Sequence, residues 1–102
     1  MQFDCRKAED GTPVIHLAGR LDFTRRDEFT GVLEAFLAGA PGAEVRVDCS
    51  LIDYLDSSGL GMLLVLRDRA HRLGCRVVLA DCSEAARQIL DTVQFGRLFR
   101  IT

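Results

Sequence analysis

Residues 45–74 read VRVDCSLIDYLDSSGLGMLLVLRDRAHRLG. Val45, Val47 and Cys49 alternate with Arg46 and Asp48, the period-two pattern of a strand with one buried face. Asp56 to Gly59 supplies turn residues. Leu60 to Leu73 then predicts a helix whose first two turns are apolar nearly all round, hence largely buried. Arg67, Asp68, Arg69 and Arg72 mark its wetter end, and Gly74 stops it.

Working outward, Gln2 to Lys7 predicts an edge strand, and Glu9-Asp10-Gly11 a hairpin turn. Val14, Ile15, Leu17 and Ala18 predict its antiparallel partner, stopped near Gly19. Thr24 is positioned to cap a helix carrying Phe29, Val32, Leu33, Phe36 and Leu37 as one apolar stripe, closed by Gly39 to Gly42. Cys75 to Ala80 is a short apolar run that predicts a strand buried on both faces. Asp81 or Ser83 caps a third helix through Asp91. Phe95, Leu98, Phe99 and Ile101 are expected to close the core as a short strand or helical turn. The order β-β-α-β-α-β-α predicts an α/β fold, a mixed sheet of four to five strands with helices packed on it.

The chain has 102 residues, the size of a single domain spanning 1–102, with 48% hydrophobic and 27% charged residues. Thirteen Lys and Arg against fifteen Asp and Glu give a net charge of -2, with no like-charge block beyond Arg25-Arg26. A basic stripe for nucleic acid is missing from that pattern, so no nucleic-acid partner is expected. The longest apolar run, Gly59 to Leu66, is too short for a bilayer, and Met1 to Cys5 lacks the regions of a signal peptide. A cytoplasmic protein with no membrane partner is the expectation. Cys5, Cys49, Cys75 and Cys82 match no zinc spacing. They are expected as thiols acting as small hydrophobes, with Cys49 and Cys75 the pair to consider for redox chemistry. No metal and no cofactor are expected.

The segment with chemical content is Leu55-Asp56-Ser57-Ser58-Gly59-Leu60-Gly61. It lies where the chain passes from strand to helix. A helix N-terminus offers unpaired N–H groups and favours an anion, including a phosphate attached to the protein itself. Gly59 and Gly61 remove bulk, so a partner could approach closely. Ordinary capping by Ser and Asp explains the same residues. Enzymatic patterns fit poorly. A nucleophile elbow needs glycine at Leu55, and the downstream His71 lies about 20 Å along the same helix. His16 sits in a strand among apolar neighbours, and no phosphate-binding glycine loop is present. No catalytic residue and no small-molecule substrate are therefore assigned. Asp56-Ser57 before a helix also fits a carrier-protein serine, but the predicted strands and modest charge oppose a helical acidic bundle.

Over essentially all 102 residues the chain resembles the anti-sigma-factor antagonists, small single-domain members of the STAS superfamily. Gly19-Arg20-Leu21-Asp22 resembles the family's G-x-L-D loop, and Val47-Asp48-Cys49-Ser50 its strand ending in D-x-S. Tyr54 to Leu64 matches the signature loop and helix, the specific part. Tyr54 to Asp68 and Phe95 to Thr102 look most like members that switch proteobacteria between motility and surface growth.

The resemblance implies partner switching. The unphosphorylated antagonist binds an anti-sigma factor, often a serine kinase, and so frees a sigma factor. The kinase phosphorylates the first serine of D-S-S-G, here Ser57, and a PP2C-type phosphatase reverses it. The antagonist is a substrate in this cycle, not an enzyme.

The expected partner surface comprises Asp22, Phe23, Thr24, Asp56, Ser57, Ser58, Gly59, Leu60 and Gly61. Asp56 is expected to shape the loop or assist the kinase, Ser58 to cap the helix and Gly59 to permit approach. Arg25 and Arg26 are either partner contacts or a solvated helix start, and Phe23 is either partner surface or core. Asp53 departs from the family pattern, where a small or apolar residue is commoner, while both serines are retained. The alternative reading is a non-phosphorylated STAS adaptor subunit of a lipid-transport or other regulatory complex.

Overall fold

The structure is a computed structural model that describes all residues from Met1 to Thr102. Five strands form one sheet in the order β1-β2-β3-β4-β5. They are β1 (Gln2–Lys7), β2 (Pro13–Arg20), β3 (Glu44–Tyr54), β4 (Arg76–Ala80) and β5 (Arg100–Ile101). β1 pairs antiparallel with β2, and the other neighbours pair in parallel. Helices α1 (Arg26–Leu37), α2 (Ser57–Arg72) and α3 (Glu84–Thr92) supply the three crossovers. Each crossover advances one strand in the same direction, and right-handed connections then place all three helices on one face. This is the mixed α/β sheet that the sequence predicts.

The exposure pattern agrees with one covered face. Ile15, Leu17, Val45, Val47, Cys49 and Leu79 are buried in a cluster with Phe29, Leu33, Leu37, Met62, Leu63, Leu66 and Leu90. Residues of the opposite parity, such as Asp4, Arg46 and Ser50, are exposed. On that open face the His16 imidazole Nδ1 lies 2.9 Å from Asp48 Oδ2, joining β2 to β3.

Several boundaries differ from expectation, each for a local reason. β3 runs on to Tyr54, beyond the alternation that marks it as far as Cys49. Its register against β2 slips between His16 and Ala18, and again between Gly19 and Arg20. A bulge of this kind shifts side-chain parity, so the buried position moves from Cys49 to Ile52 and the alternation is lost in between. Thr24 caps nothing. Asp22 accepts the Thr24 N–H at 2.9 Å and opens a 3-10 turn, Phe23–Arg25, before α1. Of the α1 stripe, Phe29, Leu33 and Leu37 are buried, while Val32 is 44% exposed at the edge of the helix face. Ser83 caps α3 through the Ala86 N–H at 3.2 Å, and Asp81 instead takes a left-handed turn with φ 54°. After a 3-10 turn at Phe95–Arg97, Phe95 and Phe99 enter the core, but Leu98 stays 42% exposed.

Candidate functional site

The site forms at the C-terminal ends of β2 and β3, the edge of a parallel sheet where helix N-termini converge. α2 starts at Ser57, not Leu60, because Asp56 is its cap. Asp56 is extended (φ -109°, ψ -171°), and its Oδ1 accepts the Gly59 N–H at 3.0 Å. Its second oxygen, Oδ2, accepts from Arg20 Nη2 at 2.7 Å. The Gly59 N–H, then the Arg20 guanidinium, hold the Asp56 carboxyl below the usual carboxylate range. Arg20 also lies over the Tyr54 ring, 5.2 Å from its centroid, so it is braced from below.

Ser58 does not cap α2. Its hydroxyl accepts the Phe23 N–H at 2.9 Å, tying the start of α2 to the loop after β2. That loop is itself fixed by Asp22, whose carboxyl is held low by the Thr24 N–H. The structure therefore brings Asp22, Phe23 and Thr24 beside Asp56-Ser57-Ser58, as the sequence suggests. Ser57 is exposed at the first position of α2, and its hydroxyl makes no hydrogen bond within the chain.

The glycines behave differently from expectation. Gly59 faces inward and is buried. A methyl there would lie 3.0 Å from Leu55 Cδ2 and 3.1 Å from Leu21 Cβ. Its lack of a side chain serves packing of α2 on its own chain and does not open a path for a partner. Gly61 sits under the Phe23 ring, at 3.5 Å from where a methyl would be. Phe23 is on the surface, 36% exposed, with the Arg26 guanidinium stacked 4.7 Å over its centroid. Arg25 turns away from the site. It bonds the Met1 carbonyl and pairs with Glu28 at 2.9 Å.

Ser57, Leu60, Gly61, Leu64 and Asp68 share one stripe of α2 at helical spacing. Leu60 and Gly61 are half-buried, while Leu64 is 41% exposed. Two residues of this surface escape sequence reasoning. Leu64 reads as core because every neighbour is apolar. Arg20 reads as part of a loop motif, and only the turn of β2 toward Asp56 gives it an electrostatic role. No group of three or more His, Cys, Asp or Glu side chains is arranged to hold a metal ion.

Comparison with known proteins agrees with this architecture. The family model described as "Mlab, STAS domain" matches residues 6–100, so the chain belongs to the STAS-domain family. The STAS-domain containing protein PA14_20770 of Pseudomonas aeruginosa (strain UCBPP-PA14) is 42% identical over 88 residues, 86% of this chain and 85% of that protein. The anti-sigma factor antagonist SpoIIAA in its unphosphorylated form superposes with a TM-score of 0.73 at 18% identity, covering 99% of this chain and 88% of that one. The phosphorylated form of the Bacillus cell fate determinant SpoIIAA superposes with a TM-score of 0.66 at 20% identity, covering 99% and 91%. At these identities the two structures establish a shared fold.

Proposed function

We propose that this protein is an anti-sigma-factor antagonist of a partner-switching pathway, bound to an anti-sigma factor or serine kinase when unphosphorylated and released when Ser57 is phosphorylated. The observation that carries the reading is the division of labour in Asp56-Ser57-Ser58. Asp56 and Ser58 are consumed in holding the loop, and Ser57 alone presents an unengaged hydroxyl to solvent. The SpoIIAA fold neighbours, one of them a phosphorylated form, support the same reading.

The chemistry follows from that placement. The Ser57 Oγ attacks the γ-phosphorus of ATP held by the kinase, ADP leaves, and the hydroxyl proton passes to the kinase. The chain contributes an acceptor and no catalysis. The phosphate adds about -1.5 to -2 of charge, taking the protein from -2 to roughly -4. Within the chain, the α2 N-terminus and Arg20 accommodate the dianion. In a docked complex the same dianion must be desolvated, which costs several kcal/mol unless a cation meets it. A loss of about 3 kcal/mol is roughly two decades in affinity. A PP2C-type phosphatase restores the hydroxyl. The cycle is assigned to the cytoplasm, and no helix of the chain is long and apolar enough to cross a membrane.

Phe23, Leu60, Gly61 and Leu64 form the apolar part of the docking surface beside Ser57, with Asp22 and Thr24 at its rim. The test is the intact mass of the protein from its native host, before and after phosphatase treatment, with Ser57→Ala as control. A removable phosphate that is lost in the variant supports the switch. Its absence under overexpression of host kinases overturns it. A second reading, a non-phosphorylated STAS adaptor of a lipid-transport or other complex, is favoured by one observation: the matching family model is described as Mlab, not as an antagonist. That reading expects partner capture that is indifferent to Ser57→Glu.

A further inference from the structure

We propose that the open face of the sheet is a dimer interface, on which a second copy of this chain packs face to face, each strand antiparallel over its own counterpart. The three right-handed crossovers put every helix on the other face. Val78 and Ala80 are only 8% and 3% exposed, yet neither belongs to the core cluster beneath the helices. They line the open side, where Val14 and Ala18 of β2 are half-buried. Toward one end of that side Leu51 is 65% exposed, the highest value of any large apolar side chain in the protein. With Gln2, His16 and Ala18 it borders a shallow hollow of about 440 Å³.

Strand register arranges this face in two rows of opposite charge. Asp4 pairs with His16, His16 with Asp48, and Asp48 with Ala80. Two residues away on each strand, Arg6 pairs with Val14, Val14 with Arg46, Arg46 with Val78, and Val78 with Arg100. One row carries two carboxylates. The other carries three guanidinium groups with valines between them. Several of these charges are paired within the chain: Asp4 with Arg6, Asp48 with His16, and Arg100 with Glu44 at 3.9 Å. Arg46, in the middle strand, has no ion pair in its own chain.

The rows decide which two-fold axis can operate. Aligned sheet packing leaves two choices in the plane of the interface. An axis along the strands sets each row over itself. Arg46 then meets Arg46 of the second copy and Arg6 meets Arg100, so like charges oppose one another. An axis across the strands exchanges the rows. Arg46 then lies over Asp48 of the second copy and Arg6 over Asp4, and each contact occurs twice. Val14 faces His16, and Val78 faces Ala80. The Asp48 oxygens accept from the Ser50 N–H and the His16 ring, both at 2.9 Å. Each keeps a further lone pair for an incoming arginine.

Four rows by five strands outline roughly 20 by 20 Å, about 400 Å² of plane on each copy. That is the lower end of specific interfaces and predicts a weak, reversible dimer with a Kd on the order of 10–100 µM. The pair is back to back. The helices, with Ser57 at the start of α2, lie on the outer side of both copies, so the inference does not rest on the phosphorylation switch.

The test measures the weight-average mass of the full-length chain by sedimentation equilibrium, from about 5 µM to about 1 mM. The mass is expected to rise from 11.3 kDa toward twice that value. Arg46→Glu and Asp48→Lys are each expected to weaken the dimer at least about tenfold, because the introduced charge meets a like charge twice. An equimolar mixture of the two variants is expected to recover it, since both exchanged contacts then join opposite charges. Only packing of one row over the other gives that recovery. Asp48→Lys also removes the His16 and Ser50 contacts. Arg6→Glu mixed with Asp4→Lys, both on the edge strand β1, repeats the experiment without disturbing them. Recovery in either mixture supports the interface. A chain that stays monomeric throughout, a dimer that Arg46→Glu leaves intact, or recovery in neither mixture overturns it.

Discussion

Asp56 binds Arg20 with one carboxylate oxygen, at 2.7 Å, and the Gly59 N–H with the other, at 3.0 Å. One side chain thus fixes both where α2 begins and how β2 ends, and Ser57 is the next residue. The geometry of the candidate acceptor depends on this clamp more than on any contact of Ser57 itself.

The two halves of the clamp are separable by substitution. Asp56→Ala removes cap and ion pair together and is expected to lower the melting temperature by about 4–8 °C, the usual effect of losing a helix cap in a domain of this size. Asp56→Asn retains a good capping residue and loses only the exposed pair with Arg20, which contributes little. It is expected to melt within about 2 °C of the parent. Thermal denaturation of the two variants checks this, and equal losses would refute the assignment of Asp56 as a cap.

Acid stability follows from the same carboxylates. The Asp56 carboxyl is lowered by the Gly59 N–H and Arg20, and that of Asp22 by the Thr24 N–H. For Asp48 burial opposes, and the Ser50 N–H and His16 prevail, again lowering it. A carboxyl lower in the folded than the unfolded chain stabilises above its unfolded value, and the contribution disappears as pH falls through the folded one. Stability is therefore expected to hold from pH 7 to about 5 and to fall below about 4. Denaturant titrations across that range measure it, and Asp56→Asn flattens part of the acid limb.

Much of this arrangement is legible in the sequence. Period-two alternation in early β3 and the apolar run from Leu60 place that strand and the body of α2, while the turn assigned to Asp56–Gly59 is the first turn of α2 itself. What escapes has a physical reason. The bulges in β3 against β2 scramble parity after Cys49, so five residues of strand look like loop. Cap assignment fails at Thr24 and Ser58 because Asp22 and Asp56, each two residues earlier, accept the Thr24 and Gly59 N–H groups and so start the helical turns sooner.

Gly59 and Gly61 are two residues apart on α2, yet alanine is expected to act in opposite directions. Both gain helix propensity, about 1 kcal/mol. At Gly59 the new methyl meets Leu21 Cβ at 3.1 Å and Leu55 at 3.0 Å. Leu21 Cβ is attached to backbone and yields little, so overpacking of about 1–3 kcal/mol outweighs the gain. At Gly61 the methyl rests on Phe23 at 3.5 Å, an ordinary contact. Gly59→Ala is expected to destabilise and Gly61→Ala to stabilise by up to about 1 kcal/mol, read from urea midpoints.

The two serines make a sharper contrast, because stability and modification should separate between them. The Ser57 hydroxyl holds nothing in the chain, so Ser57→Ala is expected to change stability by less than about 0.5 kcal/mol. It should nonetheless abolish phosphorylation by the cognate kinase. The Ser58 hydroxyl accepts the Phe23 N–H at 2.9 Å. Ser58→Ala is expected to cost about 1 kcal/mol and to loosen the loop that carries Phe23. It should still accept phosphate at Ser57, more slowly in proportion to how far the acceptor depends on a fixed α2 start. Urea unfolding with site-resolved phosphate mapping measures both properties on the same samples. A phosphate found on Ser58, or a Ser57→Ala variant as destabilised as Ser58→Ala, would show that the two hydroxyls have been assigned the wrong way round.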